Sequence, residues 1–285
     1  MKAVLLSPVK QLGYLRFWLL VIAAGLIAIH LTLTGRDIDV SAQTMSALYW
    51  FVTAYLIWQK RHHLSLDSGM GASLLGIFLL TVVIARSTSF PSSNFLSIFP
   101  FLSGLGLSLL ASNLQGLKQY WRELVILFFF GVPKVLFEPL INISGLTAQF
   151  ATFVLWYGGL DAHRQGTKVL LPSDGVNVIR SCSGFNSIFY LLGLAIIFLL
   201  LFPLQGVRKN ALVLVVAMGL GFIVNGFRIA LLAIMANEQN LVAFDYWHLG
   251  QGARIFPMIG VTLFGFFCLF LRQHQLSKQK HSTDH

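Results

Sequence analysis

Three short segments carry residue types that could do chemistry together. The run Arg180-Ser181-Cys182-Ser183-Gly184-Phe185-Asn186-Ser187 puts a thiol just ahead of a long apolar stretch. A thiol at the N-terminal end of a helix favours the thiolate, because unpaired backbone N–H groups and the positive helix end stabilise the anion. The bland alternative is a small, inert hydrophobe. The second segment, Asn225-Gly226-Phe227-Arg228, sets a guanidinium inside an apolar run, where an ionised group is costly. Asn225 and Arg228 are three apart and share a helix face, as two groups lining one polar site would, although a snorkelling arginine also accounts for the position. The third is Asp245-Tyr246-Trp247-His248-Leu249-Gly250-Gln251-Gly252. Its imidazole titrates near neutrality, and its aromatic neighbours also fit an interfacial belt. A thiol, an imidazole and a guanidinium supply a nucleophile, its general base and an anion stabiliser, the parts of cysteine-based acyl transfer.

Other chemistries lack their parts. There is no HExxH, no pair of intramembrane aspartates, and no CxxC or Cys/His ligand spacing, so neither metal nor cofactor is expected. Cys268 lies within Phe266-Phe267-Cys268-Leu269-Phe270 and reads as core filler. About 14 residues of helix at 1.5 Å each separate it from the Cys182 level, roughly 20 Å, which is too far for a disulfide. Lys134 and Glu138, four apart, are expected to pair structurally.

The elements that must position these groups are membrane helices. The chain has 285 residues, 56% hydrophobic and only 11% charged, where a soluble domain carries about 25% charged. Mean hydropathy is +0.76. Apolar runs at 17–33, 45–58, 72–84, 94–111, 123–140, 184–204, 211–235 and 255–271 give eight expected spans. A transmembrane barrel would instead alternate apolar and polar residues. The fold class expected is therefore an all-α polytopic membrane protein, one integral domain over 1–285. It comprises five N-terminal spans (1–141), an extracytoplasmic segment (142–183), three spans carrying the site (184–272) and a cytoplasmic tail (273–285).

Charge sets the orientation. With the N-terminus inside, the inner segments collect Lys2, Lys10, Arg16, Lys60, Arg61, Lys118, Arg122, Arg208, Lys209, Arg272, Lys278 and Lys280, twelve of the 20 Lys+Arg. Both termini are then cytoplasmic. Run 17–33 has signal-peptide length, and Val40-Ser41-Ala42 faintly resembles a cleavage site, but with seven further spans an uncleaved anchor is preferred. The net charge of +10 reflects these loop residues rather than nucleic-acid binding. In the outer segment, 146–156 reads as an interfacial or re-entrant helix. Residues 168–171 and 176–179, flanking Pro172-Ser173-Asp174-Gly175, read as two strands of a hairpin leading into the sixth span.

This topology brings Cys182, Arg228 and His248 to one outer boundary on three consecutive spans. The Cys182-Ser183-Gly184 element, the Asn225-Gly226-Phe227-Arg228 element and the His248 element, in this order, resemble the exosortase/archaeosortase family over about 146–271. The resemblance implies a multi-pass cysteine transpeptidase of the bacterial inner membrane. It would process partner proteins bearing a C-terminal sorting signal: a Pro-Glu-Pro-type motif, a transmembrane helix and a basic tail, often alongside exopolysaccharide production. By resemblance Cys182, Arg228 and His248 are catalytic, with Ser183, Asn186 and Asn225 in support. Phe185-Asn186 stands where many relatives have a Leu/Ile-Arg pair, which points to the cyanobacterial branch. The competing expectations are a polytopic transporter whose path Arg228, Lys134 and Glu138 would line, or a structural component of an export system.

Overall fold

Runs of Leu, Ile, Val, Phe and Ala in a low-dielectric environment must satisfy their own backbone, which makes them helices. The computed structural model describes residues 8–36, 40–89 and 91–283; Lys2 and both chain ends, on which part of the topology expectation falls, lie outside these residues. Five described helical segments are long and apolar enough to cross a membrane: Tyr14–Thr34, Met70–Thr88, Ser93–Ala111, Val207–Asn237 and Gln251–Gln275. The other three expected spans are also helical but fall short. The segment Val40–Lys60 is diluted by Gln43, Thr44, Thr53 and Gln59, while Trp121–Phe137 and Phe185–Leu201 have 17 residues each. At 1.5 Å per residue, 17 residues rise about 26 Å, against a hydrocarbon core about 30 Å thick. The fifth run ends at Phe137 rather than at 140, because the residue before Pro139 is pushed out of helical geometry.

Two compact units divide the chain at Val135 and Leu136. The first contains α1 (Pro8–Thr34), α2 (Val40–Lys60), α3 (Met70–Thr88), α4 (Ser93–Ala111) and most of α5 (Trp121–Phe137), with a 3-10 turn at Gln115–Tyr120. Leu26, Val83, Phe99 and Leu127 lie in its core. A Cβ on Gly76 of α3 would sit 2.8 Å from the carbonyl oxygen of Gly106 on α4, so these two helices approach backbone to backbone. His30 is fully buried. The Trp50 indole N–H donates to its Nδ1 at 3.0 Å, and indole is only a donor, so the ring is the Nε2–H tautomer donating to Leu96 O at 3.0 Å. Both nitrogens are engaged, and His30 is therefore a structural residue. At one end of this unit, Lys60 pairs with the buried Glu123 at 2.7 Å, and Ser65 and Gln119 exchange hydrogen bonds of 3.1 and 3.0 Å. The basic segments after α2 and before α5 thus meet. Lys60–Glu123 is the ion pair among the described residues; the Lys134–Glu138 pairing expected from spacing does not form.

The second unit contains α6 (Ser144–Tyr157), β1 (His163–Gln165), β2 (Lys168–Leu170), β3 (Gly175–Asn177), α7 (Phe185–Leu201), α8 (Val207–Asn237), α9 (Leu241–His248) and α10 (Ile255–Thr283). A 3-10 turn at Arg180–Cys182 precedes α7. Another at Gln251–Arg254 precedes α10. The sheet is antiparallel in the order β1-β2-β3. Its last two strands overlap the expected 168–171 and 176–179, but β3 begins at Gly175, inside the expected turn, and ends at Asn177, while β1 is an addition: His-Arg-Gln has no apolar alternation to announce it. Val169 of β2 and Val178 pack with Ala148, Ala151 and Leu155 of α6 and with Ile229, Leu232 and Ala233 of α8. A second cluster, with Leu191, Ala195, Val213, Ala217 and Phe264, includes Cys268, which is buried filler as expected. Both cysteines are free.

Candidate active site

Cys182 is not on the long helix that its sequence position suggests. It closes the 3-10 turn Arg180–Cys182, and α7 begins at Phe185. Gly184 intervenes with φ +88, a left-handed conformation that interrupts the helix on its N-terminal side. A Cβ there would also lie 2.8 Å from Asn225, so glycine is required twice over. The thiol therefore stands off the first turn of α7, and its geometry is set by side chains that tie down the turn.

Four hydrogen bonds do this. Asn225 Nδ2 on α8 donates to Cys182 O at 3.0 Å. Thr147 Oγ1 on α6 donates to Ser183 O at 2.7 Å. Ser183 Oγ donates to Arg180 O at 2.7 Å, and Arg180 Nη1 donates to Glu138 O at 3.0 Å. Asn225, Thr147 and Ser183 are buried, where hydrogen bonds are shielded from water and an unmade one is expensive. Thr147 carries no signal in the sequence, being one of several polar residues on an apolar helix. Asn186, expected in a supporting role, makes no side-chain hydrogen bond among the described residues and does not line the cleft described below.

Helix α9 supplies the imidazole. Asn240 caps it, accepting from Ala243 N at 3.0 Å, and His248 is its last residue. His248 Nε2 lies 3.7 Å from Cys182 Sγ, within reach of a thiol hydrogen bond. Arg228 Nη2 on α8 donates to His248 O at 2.7 Å. Burial, followed by the nearby Arg228 charge, lowers the His248 pKa from 6.5, with Asp245 opposing. The lowered pKa favours the neutral ring, and Nε2 is the ring nitrogen beside the thiol. His163, the other histidine placed near this side by sequence, is exposed on β1 and away from the thiol's cleft.

Cys182 and His248 line one cleft of about 570 Å³, shared with β3, α8 and α9. The chain matches the model of the transmembrane exosortase family over residues 38–265, 228 of 285. The chain belongs to the exosortase family. The match begins well before residue 146, where the resemblance read from the sequence starts, and so takes in most of the first unit. No curated protein and no solved structure matches. With five long apolar helices, this exosortase is a multi-pass membrane protein, and its family supports a role in processing proteins at the membrane.

Proposed function

We propose that this exosortase is a cysteine transpeptidase acting on proteins anchored by a C-terminal membrane helix, with Cys182 as nucleophile, His248 as general base and Arg228 as electrostatic support. The observation that carries the reading is the 3.7 Å separation of Cys182 Sγ from an imidazole held below its ordinary pKa. His248 Nε2 takes the thiol proton as Sγ attacks the scissile carbonyl. The tetrahedral oxyanion collapses, the C–N bond breaks, and the imidazolium returns its proton to the departing amine. A thioester remains on Cys182. An amine or hydroxyl acceptor then attacks it, with His248 taking the acceptor's proton and returning it to the thiolate as it leaves. The permanent charge of Arg228, fixed against the His248 backbone, favours the anionic sulfur and oxyanion over the imidazolium, so it assists the attack step most.

Asn225, Thr147 and Ser183 are positioning residues for the turn that presents the thiol. The substrate signal suggested by the family resemblance, a Pro-Glu-Pro-type motif before the anchor, fits a scissile bond held at membrane depth, and the site then faces the extracytoplasmic side of the inner membrane. The test is release of a tail-anchored reporter in cells carrying single variants. Cys182→Ala and His248→Gln should abolish release, and Arg228→Lys should restore little of what Arg228→Ala loses, since a point charge replaces a planar fork. Full release by Cys182→Ala, with the variant inserted normally, contradicts the reading and returns the protein to the transporter or scaffold alternatives.

A further inference from the structure

The cleft beside the thiol is lined by Asp174, Gly175, Val176 and Asn177 in succession. Asp174 belongs to the preceding turn, and side chains of a strand alternate between faces, so the three consecutive residues of β3, Gly175–Asn177, line one cleft by presenting the strand's edge. β3 is an edge strand, since it pairs with β2 alone. The register identifies which of its groups point outward. Leu171 N donates to Asp174 O at 3.0 Å and Val178 N donates to Thr167 O at 2.9 Å, both in register with the Val169–Val176 pair. Antiparallel pairs alternate between hydrogen-bonded and non-hydrogen-bonded, so Val176 bonds β2 while Gly175 and Asn177 turn their backbone groups away from it. The outward N–H of Gly175 is taken by Asp174 Oδ1 at 2.7 Å. The N–H of Asn177 and the carbonyls of Gly175 and Asn177 remain. The facing wall is apolar, with Ile229 and Leu232 of α8 and Leu241 and Phe244 of α9.

Building on the reading of Cys182 as nucleophile, we propose that the substrate's extended peptide segment binds as a fourth strand on the free edge of β3, its backbone hydrogen-bonded to Asn177 and Gly175. Alternate side chains then enter the apolar wall, and the scissile carbonyl is delivered to Cys182 in the same cleft. An extended peptide is the one occupant whose backbone matches this edge of donor and acceptors, in the manner of strand addition at other open sheet edges. Recognition is therefore largely of main chain, with apolar preference at every second residue.

The test uses full-length protein in nanodiscs and acetyl-Val-Thr-Val-Gly chloromethyl ketone, which alkylates Cys182 with loss of chloride. Each labelling rate is divided by the same variant's rate with iodoacetamide, which reports the thiol alone. Asn177→Pro removes the outward N–H, a position at which an edge strand accepts proline, and Asn177→Ala removes the same side chain but keeps that N–H. The normalised rate should be about tenfold lower for Asn177→Pro than for Asn177→Ala, the effect of one hydrogen bond at the upper end of its usual range. Equal normalised rates overturn the strand edge while leaving the thiol chemistry intact. On unmodified protein, N-methylation of each probe amide in turn should give losses that alternate along the peptide. Uniform losses, or none, overturn the proposal independently of any variant's folding. Failure of the parent reading is separately visible as reporter release by Cys182→Ala.

Discussion

At the scale of single residues, the account turns on a neutral imidazole. His248 sits below 6.5 because burial and the Arg228 charge disfavour its cation more than Asp245 favours it. A base with a lowered pKa loses function only when pH falls through that lowered value, so the acidic limb of processing should lie below pH 6.5. Removing the Arg228 charge removes one lowering cause: Arg228→Gln should raise the His248 pKa, and Asp245→Asn should lower it further. An NMR titration of the His248 ring in nanodiscs reads both directly. A downward shift in Arg228→Gln would show that the guanidinium does not act on this ring. As candidates, Cys182 and His248 were legible from residue type and from their place at the ends of apolar runs, and Arg228 from a charge set inside one. The contact of Arg228 with the His248 backbone was not, because a carbonyl partner leaves no trace in side-chain identity.

At the scale of elements, the turn 180–184 is the piece that the sequence disguises. An apolar run after Cys182 reads as a helix starting at the cysteine, and the interruption depends on Gly184 adopting φ +88 against Asn225. Gly184→Ala should therefore be costly, combining about 1–2 kcal/mol for the left-handed backbone with a steric conflict at Asn225. Asn225→Ala deletes one hydrogen bond to the turn, worth about 1 kcal/mol. If Asn225 positions the thiol, that loss should appear as a roughly fivefold fall in kcat with KM little changed, the signature of an interaction that matters in the transition state. A fall in thermal stability with kcat preserved would make it merely structural. Helix and strand placement elsewhere followed apolar periodicity and turn residues well. The helix at Ser144–Tyr157 and the strand at Lys168–Leu170 lie close to where Thr-studded apolar sequence put them, whereas the strand at Gly175–Asn177 starts inside the Pro-Ser-Asp-Gly segment read as the turn. The strand at His163–Gln165 forms only because β2 offers it an edge, a tertiary effect that local sequence does not encode.

At the scale of the whole molecule, the reading needs the Cys182 cleft to face the compartment opposite the basic loops. The meeting of the 60–69 and 113–123 segments around Lys60–Glu123 agrees with both lying on one side, as charge counting requires. In a Cys182→Ala, Cys268→Ser background, single cysteines at Thr167 and His62 should label oppositely with an impermeant maleimide on intact cells, Thr167 outside. Labelling of His62 alone would invert the orientation and put the cleft in the cytoplasm. The central claim, that Cys182 carries the substrate as a thioester, is tested most directly by mass spectrometry of the purified enzyme after incubation with a tail-anchored substrate. The account predicts an acyl adduct on Cys182 that hydroxylamine removes, absent from His248→Gln. Processing at full rate with no adduct on any residue, or an adduct that resists hydroxylamine, would contradict it.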